Sequence, residues 1–133
     1  MMPIELPDYQ PSPDEAYMNP RQVAYFRRKL EQARSDLRHE LDEVPHIEPD
    51  ETARDGDQTD HASADTDREF AILNRARIQA LLHQTETALT RLDNGTYGYC
   101  DDTGEPIGLK RLIAQPATSL SLAAQEAREQ RAG

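Results

Sequence analysis

The chain has 133 residues, and its 25 acidic and 15 basic side chains give a formal net charge of −10. Hydrophobic residues make up 36% and aromatic residues 5%, so one large packed core is not expected, although the charge is too low for a fully disordered chain. All of the net charge lies in residues 36–69, which hold 13 acids and 3 bases, against 12 and 12 elsewhere. This balance argues against DNA, RNA or an anionic membrane as a direct partner, because phosphate groups bind basic surfaces.

The cellular compartment is indicated by the cysteine count and by the N-terminal composition. Cys100 is the one cysteine, so no disulfide can form within the chain, which is typical of a reducing cytoplasm. The first 19 residues are acidic and proline-rich, and no stretch approaches the roughly 20 apolar residues of a transmembrane helix. We expect a soluble cytoplasmic protein.

The N-terminal third predicts a strap followed by a long helix. Residues 1–18 carry four prolines and predict an extended strap that packs on the globular domain. Asn19 and Pro20 form a helix start signal, as N-cap and first helical residue. Apolar residues then recur every three or four positions, which favours a two-helix seam: Val23, Phe26, Leu30, Ala33, Leu37, Leu41 and Val44. Pro45 and Pro49 end or kink this helix.

A second helical pattern begins near Asp65 and runs to about Asp93. Its apolar stripe follows the same spacing and comprises Ile78, Leu82, Thr85, Leu89 and Leu92. Three further residues widen this face: Leu73, Leu81 and Ala88. Asn94 and Gly95 suit a left-handed helix cap. The two helices predict an antiparallel coiled-coil hairpin over residues 19–96, with an acidic tip near 45–63.

Residues 97–133 predict a small globular region with a C-terminal helix. Tyr97 to Cys100 has the pattern of a short strand entering a knuckle, and Ile107 to Ile113 predicts a strand or turn. A last helix is expected at about residues 120–131, capped by Thr118 or Ser119. The fold class is therefore mostly α, a long hairpin plus a small globular domain.

The C-terminal region contains a degenerate pattern of zinc ligands. Cys100 and Thr103 occupy the two ligand positions of a Cys-x-x-Cys-Gly knuckle, and Ser121 and Ala124 stand where a second pair is expected. A structural zinc site needs four thiolate or imidazole ligands, so no metal is expected. We expect apolar packing to fill the ligand space instead, from Leu112, Ile113, Leu120, Leu122, Ala123 and Ala124.

These motifs resemble the DksA/TraR family of bacterial transcription factors, which bind RNA polymerase directly. The start of the first helix carries Tyr17-Met18-Asn19 and Phe26-Arg27-Arg28-x-Leu30. The C-terminal region carries Tyr97-Gly98-Tyr99-Cys100, Ile107-Gly108 and Arg111-Leu112. At the tip, Asp57-x-x-Asp60-x-Ala62 matches the family's Asp-x-x-Asp-x-Ala motif. The order and spacing of the three motifs make the resemblance specific, and it covers nearly the whole chain.

The resemblance implies a factor that docks at the rim of RNA polymerase, as core or holoenzyme, and inserts its hairpin through the secondary channel. It implies destabilised open promoter complexes and regulation of ribosomal RNA and amino-acid promoters in the stringent response, with ppGpp. Asp57 and Asp60 would act electrostatically near the polymerase active site, and Ala62 would fit where bulk is not tolerated. The chain itself would be a monomer and no enzyme.

Two departures from the family pattern carry further expectations. The ligand positions Cys100, Thr103, Ser121 and Ala124 resemble the zinc-independent member of the family known from Pseudomonas, so no structural zinc is expected. A second ppGpp site, which the family shares with polymerase, uses basic side chains, and the corresponding positions here are Leu81, Gln84, Gln115 and Gln125. Loss of three cations predicts weakened ppGpp coupling.

Two other functions remain open from the sequence. Tip acids could hold a metal and promote transcript cleavage, as in a Gre-like factor of the same channel. Alternatively, the hairpin could be a coiled-coil adaptor for another basic protein.

Overall fold

The fold is a helical hairpin with a small region at its base. The computed structural model describes residues 8–45 and 58–132, with the backbone alone for residues 58–63. In these residues it contains four helices: α1 (Pro20–Glu43), α2 (Gln58–Asn94), α3 (Leu109–Ala114) and α4 (Leu122–Ala132). The two long helices and the small C-terminal region confirm the mostly α prediction.

The hairpin is antiparallel, and ion pairs between its two helices mark the register. Arg27 pairs with Asp93 at 2.9 Å near the base. Farther along, Arg38 pairs with Glu86, and Glu40 with Arg77. Each pair is exposed and contributes about 1 kcal/mol or less, so the pairs select the register more than they stabilise the fold.

Helix α1 begins and ends where local sequence signals predict. The Asn19 side chain accepts hydrogen bonds from the backbone N–H groups of Arg21 and Gln22, at 2.9 and 3.1 Å, and Pro20 is the first helical residue. The helix ends at Glu43, and Val44 is already extended. The residue before a proline disfavours helical geometry, so Pro45 ends α1 rather than kinking it.

Helix α2 ends as predicted but begins earlier than predicted. At its C-terminus the N–H of Thr96 donates to the carbonyl of Arg91 at 2.9 Å, and Gly95 has φ +78°. This is a Schellman motif, in which glycine accepts the left-handed conformation without strain. At its N-terminus α2 starts at Gln58 instead of near Asp65, because residues 58–64 contain no large apolar residue to reveal the helical period.

The core lies at the base of the hairpin, where both long helices meet the C-terminal region. Phe26 is completely buried, with its ring centroid 5.1 Å from that of Tyr25 and 5.5 Å from that of Tyr97. The cluster of buried residues comprises Tyr25, Phe26, Leu30, Ala88, Leu89, Leu92, Tyr97 and Leu112. It therefore joins α1, α2 and α3 in one contact region.

The apolar face of α2 becomes exposed toward the tip. Ala88 is buried as predicted, but the prediction that Leu73 and Leu81 widen the buried face was wrong, since they are 63% and 37% exposed. Glu40 of α1 pairs with Arg77, and α1 ends at Glu43, so α1 has ended before it reaches Leu73.

The C-terminal region has less strand and a later helix than predicted. Among the described residues, pairing is limited to an isolated bridge between Tyr99 and Pro106, and the predicted strand or turn after Ile107 is instead the helix α3. The cap of α4 is Ser121, whose Oγ accepts from the N–H of Ala124 at 3.1 Å. Thr118 and Ser119 do not cap it, because the helix starts at Leu122.

The strap, residues 8–19 as described, packs on both α1 and the C-terminal region. The Tyr17 hydroxyl donates to the carbonyl of Gly98 at 2.7 Å and accepts from the N–H of Gly108 at 3.0 Å. Gln22, which is fully buried, accepts from the N–H of Met18 at 2.8 Å. Within the described ranges, no helix has an apolar stretch long enough to cross a membrane.

Truncation of the two phenylalanines of the chain should affect stability to very different extents. Truncation of Phe26 to alanine leaves a cavity in the buried cluster and is expected to lower the free energy of unfolding by about 3–5 kcal/mol. Phe70 is 71% exposed, so Phe70→Ala serves as the matched control and should change it by less than about 0.5 kcal/mol. Urea unfolding followed by circular dichroism measures both. Equal effects would contradict the position assigned to the core.

Candidate functional site

The described part of the acidic tip lies at the N-terminal end of α2, far from the core. Asp60 and Ala62 belong to the first turns of α2, whereas Asp57 lies outside the described residues, and the side chains of all three are outside the description. Asp60 is about 48 Å along the helix axis from Leu92, which is buried at the base. The hairpin can therefore carry acids far from the surface that its base presents.

The degenerate ligand positions remain close to each other around Cys100. Cys100 is buried, with 4% of its surface exposed, and Ala124 is also buried. The backbone of the knuckle is closed by the N–H of Gly104, which donates to the Cys100 carbonyl at 2.8 Å. The N–H of Asp101 donates to the carbonyl of Ser119 at 2.8 Å, which brings the segment before α4 against the knuckle.

The Cys100 thiol is surrounded by hydrogen-bond donors. Burial of the thiol raises its pKa, but hydrogen bonds to the sulfur outweigh that effect and lower the pKa to about 6. These bonds come from the backbone and side chain of Ser121, the side chain of Thr103 and the backbone of Asp102. Two of the degenerate ligand positions, Thr103 and Ser121, thus donate hydrogen bonds to Cys100.

These residues do not fit a structural zinc ion. The four positions supply one thiolate, two hydroxyls and one methyl group, whereas zinc takes thiolate, imidazole or carboxylate ligands. In the described parts of the chain, no three His, Cys, Asp or Glu residues come together as a metal-binding group. The Thr103 and Ser121 hydroxyls instead form hydrogen bonds to the Cys100 sulfur.

The prediction that apolar side chains fill the ligand space was wrong for two of its six residues. Leu122 is 55% exposed and Ala123 is exposed. Leu112 is fully buried, but it belongs to the core at the hairpin base. The small Ala124 is buried. Leu122 and Ala123 point away because Ser121 begins α4 and places the face with Ala124 inward.

The four positions proposed for a ppGpp site lie around one cleft. Leu81, Gln84, Gln115 and Gln125 all line a cleft of about 710 Å³ between the hairpin and the C-terminal region. Among the described residues that line it, there is no lysine or arginine, and Asp36 adds a negative charge. Arg111 lies beside the cleft, but its guanidinium already donates to the Leu120 carbonyl at 2.8 Å and to the Gln125 side chain.

Sequence reasoning missed two ion pairs that connect the knuckle to its surroundings. Asp101 pairs with Arg91 at the end of α2, and Asp102 pairs with Arg128 in α4. The sequence offered one signal for them. Two consecutive acids occupy the variable positions of the knuckle, and residues 70–133 hold seven acids and seven bases.

Comparison with known proteins assigns both parts of the chain. A family model described as "DnaK suppressor protein DksA, N-terminal domain" matches residues 22–92. A second, described as "Prokaryotic dksA/traR C4-type zinc finger", matches residues 95–130. The second match covers a region in which this chain keeps one cysteine of the four that the description implies.

Curated relatives match over most of their length. A protein of Caulobacter vibrioides named RNA polymerase-binding transcription factor DksA is 43% identical over 129 residues, which cover 96% of this chain and 90% of the relative. The protein of the same name from Escherichia coli K12 is 38% identical over 115 residues, which cover 86% of this chain and 76% of that relative. These names are those of transcription factors and not of enzymes, as the sequence predicts.

A solved structure shares the fold. Transcription factor DksA2 from Pseudomonas aeruginosa superimposes with a TM-score of 0.71 and 34% identity, over 90% of this chain and 92% of the other. Together with the two family models and the curated relatives, this similarity shows that the chain belongs to the DksA/TraR family.

Proposed function

We propose that this protein is a transcription factor that binds RNA polymerase, enters its secondary channel with the hairpin and destabilises open promoter complexes. The observation that carries the proposal is the shape of the molecule. A two-helix hairpin carries Asp60 and Ala62, the described part of the Asp-x-x-Asp-x-Ala motif, at one end and is joined to a compact region at the other. The curated relatives, which are named RNA polymerase-binding transcription factors, support the partner.

Length and charge of the hairpin support the channel as its destination. Helix α2 extends about 26 Å beyond the end of α1, if measured from Gln58 to Arg75, which contacts the carbonyl of Val44. Residues 36–69 hold the entire net charge of −10. An acidic projection of this kind suits a channel that leads to bound metal ions and basic side chains, and it repels nucleic acid. The polymerase, not this chain, performs the chemistry.

The tip acids are expected to act on the open complex rather than on binding. Asp57→Asn/Asp60→Asn removes two charges while preserving the side-chain volumes. We expect affinity for core polymerase to change by less than about fivefold, because the base of the hairpin remains intact, while the shortening of open-complex lifetime is lost. Promoter-complex decay assays and binding to core enzyme measure the two effects separately.

Asp67→Asn provides the control for this experiment, since it removes an acid from the same helix outside the motif. It should leave the effect on open-complex lifetime intact. Equal loss in the control and in the tip variant would assign the effect to net charge alone. If the wild type stimulated transcript cleavage in stalled elongation complexes, a Gre-like role would replace the proposal. If it failed to bind core polymerase, an adaptor role would.

We also propose that the protein works without zinc, in a reducing cytoplasm and as a monomer. The ligand chemistry supports the first part, because Thr103 and Ser121 donate hydrogen bonds to the Cys100 sulfur and Ala124 offers no donor atom. The purified protein is expected to contain less than stoichiometric zinc and to keep its melting temperature when a chelator is added. Metal analysis and thermal unfolding check this. One zinc per chain, lost together with the fold on chelation, would contradict it.

Coupling to ppGpp in the stringent response is proposed to persist in reduced form. The cleft that unites the four candidate positions has no basic residue among its described lining residues. Lysine and arginine add direct charge attraction to their hydrogen bonds with an anion, and arginine can bind phosphate at two points. Glutamines therefore bind a polyphosphate less tightly.

Restored charges should therefore strengthen the response to ppGpp. Gln84→Lys/Gln115→Arg is expected to lower the ppGpp concentration for half-maximal effect by about tenfold. Gln125 is kept, because its side chain accepts a hydrogen bond from Arg111. The control Gln79→Lys/Gln130→Lys adds the same charge outside the cleft. The measurement is a ppGpp titration of open-complex lifetime with polymerase, and an equal shift in both variants would refute the role of the cleft.

A further inference from the structure

We propose that an ionic bracket, formed by Asp101 and Asp102 of the knuckle with Arg91 of α2 and Arg128 of α4, joins these three parts in place of a zinc ion. The inference rests on the proposed zinc-free state and goes beyond it, because it names the groups that connect the two halves of the former metal site. A zinc ion bound at positions 100, 103, 121 and 124 would link the knuckle to the start of α4. The bracket likewise links the knuckle to α4.

The link to α4 is a two-point contact. Arg128 Nε donates to Asp102 Oδ2 at 2.7 Å, and Arg128 Nη2 contacts Asp102 Oδ1. A guanidinium and a carboxylate that meet at two points have one preferred relative orientation, which a single-point ion pair lacks. The pair therefore sets the position of α4 as well as its distance from the knuckle.

The link to α2 uses the neighbouring acid. Arg91 lies in the last turn of α2 and donates to Asp101 Oδ2, and with 18% of its side chain exposed it is the least exposed member of the bracket. The backbone of Asp101 also donates to Ser119. Consecutive side chains of an irregular segment can point to opposite sides, so two adjacent aspartates reach two different helices.

The bracket lies next to the former ligand positions in sequence and space. Asp101 and Asp102 are the two residues between Cys100 and Thr103. Arg128 follows Ala124 by four residues in α4, so both lie on the same face of the helix. Hydrogen bonding to Arg128, the largest effect, lowers the pKa of Asp102. The ionisable groups that interact with Arg128 are Asp102, Asp101 and Cys100, and Arg131 also interacts with Asp102.

Helix α4 depends on such polar contacts because it buries little apolar surface. Ala124 is the buried residue of α4, and Leu122 is 55% exposed. A lone alanine offers few contacts to hold an 11-residue helix against the rest of the molecule. The Arg128 pair and the hydrogen bond from Arg111 to Gln125 supply two further attachments along the helix.

The test is a double-mutant cycle on the α4 link, read by amide hydrogen exchange of residues 122–132. Asp102→Asn and Arg128→Gln should each accelerate exchange about two- to fivefold. The double variant should be no faster than the single variants, because both remove the same interaction. Raising the salt concentration should accelerate exchange in the wild type but not in the double variant, since salt screens an ion pair.

Asp93→Asn is the matched control, because it removes an exposed arginine–aspartate pair from the hairpin base. It should leave exchange in α4 unchanged. Single variants that exchange at the wild-type rate, or effects that simply add in the double variant, would overturn the bracket. Zinc analysis of the same samples separates the two proposals: stoichiometric zinc whose removal releases α4 would overturn the zinc-free state, whereas zinc-free protein with unaffected single variants would overturn the bracket alone.

Discussion

The packing of Phe26 against Tyr25 and Tyr97 is the contact on which the rest of the structure depends. All five tyrosines and one of the two phenylalanines take part in ring contacts in this junction. Aromatic side chains bury the most area per residue and prefer edge-to-face geometry, as seen for Tyr25 on Phe26 at 84°. A chain with 5% aromatic residues thus concentrates nearly all of them at one point. The hairpin can project from this point because it needs no second core.

Local signals explain how much of the hairpin could be predicted. The cap at Asn19 and the stop at Gly95 depend on residues within a few positions of each other, so the sequence alone identifies them. The seam between α1 and α2 follows from apolar spacing, which is also local. The start of α2 was missed because residues 58–64 have no apolar period. Leu73 is exposed because α1 ends before it reaches this part of α2. The tip motif was identified by resemblance alone, and the roles of its side chains stay a prediction.

The interior of the C-terminal region could not be predicted, because its contacts join residues far apart in the chain. The Tyr17 hydroxyl bonds to Gly98 and Gly108, 81 and 91 residues away. Gly98 allows this approach, since a side chain there would meet Met18 at 3.0 Å. Composition favoured apolar packing around Cys100, yet hydroxyl and backbone donors converge on the thiol. Buried polar groups are usually hydrogen-bonded, and the polar groups around Cys100 meet this requirement by bonding to its sulfur.

A net negative charge concentrated toward the tip is compatible with a stable fold, because the tip lies far from the core. Charges separated by more than about 8 Å are largely screened at physiological salt, and Asp60 is about 48 Å from the base along α2. Repulsion among the tip acids therefore does not reach the junction around Phe26, whose surroundings carry balanced charge. The same acids placed in a compact domain of this size would repel one another within the fold. In a hairpin, the composition of the tip has little effect on the stability of the core. The tip can therefore be selected for its contacts with a partner.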